Sequence, residues 1–217
     1  MNKPTPHDAL LDAALPHVPF DGWSGATLDA AIRDSGIAPA VAHGLFPRGA
    51  VDLALAYHAR GDAAMTARLA DADLSALRYR DRITQAIRWR VEAAGNRDVV
   101  RRGAALFALP RWAPDGARAI WGTADAIWTA LGDTSEDINW YSKRATLSAV
   151  YSATVLFWLG DDSPENAATW AFLDRRIEDV MRIETAKAKL RENKTLSALM
   201  AGPNKLLAGI RRPPVRR

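Results

Sequence analysis

Any chemistry in this chain must come from four histidines, scattered carboxylates and a dense set of aromatics, because its 217 residues include no cysteine. His7, His17, His43 and His58 all fall in the first quarter, none in an HExxH or Glu-x-x-His pattern, so metal ligation is not expected. No GxGxxG, P-loop or GxSxG elbow is present to hold a nucleotide or present a nucleophile. The adjacent acids Glu136-Asp137 and Asp161-Asp162 sit at predicted helix ends, where carboxylates cap and turn the chain more often than they shuttle protons. Arg175, Arg176, Glu178 and Asp179 are spaced for ion pairs along one helix and carry no evident chemistry. No catalytic residue and no cofactor are expected, and the chain reads as a binding protein rather than an enzyme.

The aromatics are the distinctive resource. Six of eight tryptophans, Trp112, Trp121, Trp128, Trp140, Trp158 and Trp170, lie between residues 112 and 170. Ala117, Ile120, Trp121, Ala124, Ile127, Trp128 and Leu131 recur at helical spacing, and Leu147, Val150, Tyr151, Val155, Phe157 and Trp158 make the following helix apolar on most sides. Such stripes are commonly plain core, yet the small residues interleaved with the large ones leave room for a cavity. Thr134-Ser135-Glu136-Asp137 resembles a capping box, and Asn139, Trp140, Tyr141, Lys143 and Arg144 follow at once. Consecutive helical residues point about 100° apart, so this group cannot all be buried on one side. Either Trp140 packs inward above a solvated Lys143 and Arg144, or an aromatic and cationic patch faces a partner.

These side chains are carried on helices. With 48% apolar and 25% charged residues and a net charge of +4, the composition is that of a globular chain and excludes disordered, collagenous and disulfide-stapled classes. Helical periodicity runs through nearly all of it, with no strand alternation, so the fold class is all-α. Helices are predicted near residues 6–17, 25–35, 39–46, 48–71, 76–95, 98–109, 113–131, 137–159 and 165–190, with a short one across 195–211. Ser24, Pro47 and Pro164 mark starts, and Gly36, Gly95, Gly132 and Gly160 follow ends. The chain divides into residues 1–60, 61–186 and a basic tail, 187–217.

In that tail Lys187, Lys189, Arg191, Lys194, Lys205, Arg211, Arg212, Arg216 and Arg217 face Glu192 alone, a local +8 that leaves the rest of the chain at −4. Leu196, Leu199, Met200, Leu206, Leu207 and Ile210 alternate with the cations, a pattern suited to lying on an anionic membrane, although Pro203 should break or kink the helix. An ordinary core helix with a charged end is the other reading. The N-terminal residues show no secretory pattern, and the longest apolar stretch, 145–159, is too short to span a bilayer, so a cytoplasmic setting is expected.

Residues 20–60 have helix-turn-helix spacing and resemble the N-terminal unit of TetR-type repressors. Their second helix, Pro39-Ala40-Val41-Ala42-His43-Gly44-Leu45-Phe46, lacks the cations that reach phosphates, and residues 1–60 carry six acids against four cations. The scaffold is expected without specific nucleic-acid binding.

Asp137-Ile138-Asn139-Trp140-Tyr141-Ser142-Lys143-Arg144-Ala145, then Leu147 and Tyr151, then Thr169-Trp170-x-Phe172-Leu173-x-Arg175-Arg176-Ile177, resemble the ubiquinone-biosynthesis accessory family of lipid-binding, TetR-like proteins. The resemblance implies a homodimer with an N-terminal helix-turn-helix remnant and a C-terminal bundle enclosing an isoprenoid quinone or phospholipid. It implies a partner, the membrane-bound di-iron demethoxyubiquinone hydroxylase, to which the lipid is presented. Carried over by position, the partner patch is Asp137, Asn139, Trp140, Tyr141 and Arg144. Resemblance and periodicity together suggest Trp121, Ile127, Trp128, Leu147, Tyr151, Trp158 and Phe172 as lipid-binding residues. Family members can end in a membrane-docking helix, which implies membrane contact through Leu196, Leu199, Met200, Leu206, Leu207, Ile210, Lys205 and Arg211. The implied location is peripheral, on the inner face of a bacterial cytoplasmic membrane. A TetR-type regulator sensing a hydrophobic effector is the alternative, and a lipid hydrolase a third class without a nameable nucleophile and base.

Overall fold

A computed structural model describes residues 4–192 and 211–213, with side chains described to residue 183 and again at 211–213. Among the described residues the regular elements are helices: α1 (Pro6–Ala14), α2 (Val18–Asp21), α3 (Gly25–Ser35), α4 (Pro39–Leu45), α5 (Ala50–Asp71), α6 (Tyr79–Ala93), α7 (Arg97–Phe107), α8 (Ala113–Ala130), α9 (Ile138–Trp158) and α10 (Ala167–Glu192), the last preceded by a 3-10 turn at Pro164–Asn166. Caps fix several ends. Ser24 accepts a hydrogen bond from the Thr27 amide to open α3, and Gly36 closes it in the left-handed region at φ 66°, where a side chain would be strained. One difference from expectation is that the stretch predicted as a helix over 6–17 stops at Ala14, and a separate short α2 follows. Pro16 has no amide hydrogen to continue the α1 ladder, and Pro19 is accommodated in the first turn of the new helix.

Two compact units emerge. The described residues up to Arg68 join Trp89–Ile120 in one, and Leu69–Arg88 join those from Trp121 onward in the other. The division passes through α5, α6 and α8, whereas the expected boundary at residue 60 falls inside α5.

In the first unit α1 packs on α3. Leu10, Leu11, Val18, Trp23, Leu28, Phe46, Leu53 and Val99 form an almost fully buried cluster. Burying each large aliphatic side chain contributes about 1.5–3 kcal/mol. Trp23 satisfies its indole N–H on the Val99 carbonyl at 3.2 Å. A polar knot lies nearby in the same unit. Arg90 donates to Asp62 at 2.5 Å and to the His58 carbonyl at 3.0 Å, and it lies so close to Gly61 that a Cβ there would meet the guanidinium. Burial pushes the His58 pKa down to about 4, with the Arg90 charge adding to the fall and Asp62 opposing it.

In the second unit α9 packs on α10. Leu147, Val150, Tyr151, Thr154 and Trp158, spaced at helical intervals, are buried on α9, as are Leu173 and Ile177 on α10. Asp161 opens the approach to α10: it accepts from the amides of Ser163 and Thr169 and from the Thr169 hydroxyl, bonds that hold its carboxyl well below the usual range. The acids at 161–162 therefore begin a turn, as their position suggested.

Candidate functional site

The candidate site is the corner where α8 gives way to α9. Gly132, left-handed at φ 78°, ends α8, and the Asp133 amide folds back onto the Trp128 carbonyl at 2.9 Å. Asp137 then caps α9, accepting from the Asn139 amide at 2.9 Å and the Asn139 side chain at 3.0 Å. The chain reverses in few residues, so the carboxylates of the turn face the cations of the first turns of α9.

Asp133 is the centre of that exchange. One oxygen accepts from Lys143 Nζ and Ser135 Oγ at 2.7 and 2.8 Å, and the other from Arg144 at 3.1 Å. Burial alone would raise its pKa, but the bonds from Lys143, Ser135 and Arg144 outweigh it and lower it to about 2. Arg144 also donates to Asp125 at 2.6 Å and to the Trp140 carbonyl at 3.1 Å, with its guanidinium 4.0 Å from the centre of the Trp140 ring. Lys143 shares its ammonium with Ser135 at 2.7 Å and lies 5.2 Å from the Trp128 ring centre.

Three rings extend this corner. Trp140 meets Tyr141 edge-on at 4.8 Å, and Trp121 lies 5.9 Å from Trp140 and 6.5 Å from Tyr141. All three are half-buried, while Asp137 and Asn139 are exposed. Arg144 departs from its expected place on an exposed patch, since it is only 2% exposed. Two carboxylates draw it inward, and a buried guanidinium needs such partners. Lys143 is half-exposed, its ammonium shared between Asp133 and Ser135. Both sequence alternatives assumed free cations, and neither foresaw Asp125, Asp133 and Ser135, which reach them across the turn. The polar composition of 133–137 was the available signal.

Of the expected lipid-binding residues, Ile127, Trp128, Leu147, Tyr151 and Trp158 are buried, and Trp121 and Phe172 are half-buried. Phe172 stacks on Phe157 at 4.5 Å. The Trp128 indole N–H and the Ser148 hydroxyl are buried without a hydrogen-bond partner among the described residues. A donor in that condition costs about 1–3 kcal/mol, and an acceptor oxygen on a bound ligand would satisfy it. A separate open groove of about 680 Å³ lies in the first unit, its wall including Leu11, Leu45, Phe46, Leu55 and Arg60. None of the expected lipid-binding residues borders it.

Of the expected membrane-contacting set, Arg211 is exposed, and its carbonyl accepts from the Tyr141 hydroxyl at 3.1 Å. Leu196, Leu199, Met200, Lys205, Leu206, Leu207 and Ile210 lie outside the described residues. Among the described residues no helix is long and apolar enough to cross a membrane, and no group of three or more His, Asp or Glu side chains could hold a metal ion.

Residues 113–184, which include this corner, match the COQ9 family model. The chain is 31% identical over 180 residues to the mitochondrial ubiquinone biosynthesis protein COQ9 of Drosophila melanogaster, covering 81% of this chain and 55% of that protein. It is 28% identical over 188 residues to the human mitochondrial COQ9, covering 82% of this chain and 58% of that protein. The chain thus spans a little over half the length of the curated relatives it matches. Its fold is similar to that of a TetR transcriptional regulator from Nitrosomonas europaea, with a TM-score of 0.66 at 21% identity over 79% of this chain and 95% of that one.

Proposed function

We propose, from its similarity to the COQ9 family model and to the mitochondrial COQ9 proteins, that the chain is a lipid-binding accessory factor in ubiquinone biosynthesis. It takes an isoprenoid quinone intermediate or phospholipid into the second unit and presents it to the demethoxyubiquinone hydroxylase. The observation that carries this reading is that the matched segment, 113–184, holds both the buried set Ile127, Trp128, Leu147, Tyr151 and Trp158 and the aromatic corner at Trp140 and Tyr141. The unpartnered Trp128 N–H and Ser148 hydroxyl supply polar handles for a ligand that is otherwise apolar. Trp140 and Tyr141, rigid, half-exposed and edge-on, have the composition of an interface anchor. In this reading Arg144 acts from beneath, holding the Trp140 ring in place rather than touching the partner.

The assembly we propose is a homodimer through α9 and α10, where Leu156 and Met181 stand exposed. It rests on the inner face of the membrane through its basic tail. Native mass spectrometry of the purified protein after incubation with an isoprenoid quinone tests the ligand: a bound mass that diminishes in Trp128→Phe supports it, and a protein that stays empty refutes it.

A regulator reading would need α4 to meet DNA. Its exposed face is Val41, His43, Gly44 and Leu45, and the nearby Arg48 is engaged by Asp52 and Asp115 at 2.8 and 3.0 Å. That surface lacks the cations that phosphate contact requires. A gel shift on the chain's own upstream DNA, positive and sequence-selective at moderate salt, would revive that alternative.

A further inference from the structure

The described end of the chain touches the same corner three times. The Tyr141 hydroxyl donates to the Arg211 carbonyl at 3.1 Å, the Arg212 amide donates to the Glu136 carbonyl at 3.0 Å, and the Arg212 guanidinium pairs with the Glu136 carboxylate at 2.9 Å. Residues 211–213 carry no helical structure. Pro213 accounts for part of this, since a proline biases the residue before it toward extended backbone, the conformation that offers amide and carbonyl sideways to a neighbour. Two of the three bonds use the main chain of 211–212, so they fix where the segment lies and not merely where a long side chain reaches.

We infer that Arg211–Pro213 is a strap across the Glu136–Tyr141 edge, through which the chain's own C-terminal segment competes with a protein partner for the Tyr141 side of the aromatic corner. The inference rests on the reading above that this corner meets the hydroxylase, and adds a regulator to it. The hold is weak by construction. The Glu136 and Arg212 side chains are 63% and 39% exposed, so solvent and salt screen their attraction. A contact of that strength biases an equilibrium by a few-fold, enough to tune capture and small enough for a partner to displace. The Tyr141 hydroxyl is the shared element: it serves the strap when closed and is free to bond the partner when open.

The test exploits the absence of cysteine from the 217 residues. In Glu136→Cys/Arg212→Cys the main-chain hydrogen bond between the two positions brings their backbones within reach of a disulfide. Oxidation should form it, while Asp162→Cys/Arg212→Cys, whose first cysteine sits past the far end of α9, should not. The oxidised strap should capture purified hydroxylase at least about fivefold less well than its own reduced form, as expected when the competent state is withdrawn. Arg212→Glu, which repels Glu136, should raise capture by about threefold over the unmodified protein, and Glu136→Lys/Arg212→Glu should restore the original level.

A disulfide no more efficient than the control pair, or capture equal in oxidised and reduced forms, would overturn the strap. Capture absent from every form would sink the functional reading instead. The strap would then be decided by acrylamide quenching of tryptophan fluorescence, which Arg212→Glu must increase and the disulfide must decrease; no change in either would overturn it as well.

Discussion

The α3–α4 end of the first unit and the α8–α9 corner of the second are both tight helix junctions, but they spend their residues differently. At α3–α4 the backbone devices are intact: Ser24 caps, Gly36 adopts the left-handed turn, and Pro39 opens α4. The outward side chains, among them Val41 and Leu45, have no chemistry to offer a polyanion. At α8–α9 the backbone devices are equally ordinary, yet nearly every polar or aromatic side chain from Asp125 to Arg144 is engaged in an ion pair, a cap or a ring contact. A shared fold is written in caps and apolar spacing, whereas function follows the side chains placed on it. Likeness to a TetR regulator therefore describes the scaffold here, and the corner is where we propose that function resides.

The sharpest way to break this contrast is to remove the corner's central carboxylate. Asp133→Ala leaves the buried Arg144 with Asp125 as its one remaining carboxylate and the half-exposed Lys143 with Ser135, and should cost about 3 kcal/mol in urea unfolding. A cost below about 1 kcal/mol would mean that the charges rearrange freely and the corner is not preorganised. The same carboxylate gives an acid signature. Its pKa is lowered from 3.8 to about 2, so its stabilisation is complete above about pH 4 and is lost as pH falls toward 2. Asp133→Asn should flatten that part of the stability profile.

The first unit should fail in milder acid. His58 is held neutral, its pKa lowered from 6.5 to about 4, so the unfolded chain takes up its proton first as pH falls. Up to about 3 kcal/mol should be lost between pH 6.5 and 4. Urea midpoints across that range should slope in the unmodified protein and lie flatter in His58→Gln. A smaller effect is expected at the turn: Gly36→Ala forces a side chain into the left-handed region with no neighbour within 4 Å and should cost about 1 kcal/mol. The smallest belongs to the face of α4. Val41→Arg with Leu45→Arg should change stability by less than about 0.5 kcal/mol and give only salt-sensitive, sequence-blind DNA binding. Sequence-selective binding in that variant would blur the contrast.

Much of the scaffold was legible in the residues. Helical periodicity with Ser24, Gly36, Gly95 and Gly132 placed α3 and the ends of α6 and α8 to within a few positions, because caps act through neighbours in sequence. The end of α1 at Ala14 and the short α2 were not foreseen, since the apolar Leu15 carries the pattern on and a four-residue helix is too short to show a period. At the corner the sequence identified the crowding of Trp140, Tyr141, Lys143 and Arg144 but not its resolution. Asp125 and Asp133 lie 19 and 11 residues from Arg144, and only the reversal between α8 and α9 makes them partners. The tie of Arg211 and Arg212 to Tyr141 and Glu136, at separations near 70 residues, was beyond any local pattern.

The measurement that bears most directly on where function resides is capture of purified demethoxyubiquinone hydroxylase by two variants side by side. Trp140→Ala should lower capture at least about tenfold, the loss of a central aromatic anchor, while Val41→Ala with Leu45→Ala leaves it unchanged. Loss through α4 with capture intact in Trp140→Ala would place the partner surface on the helix-turn-helix end and contradict the account.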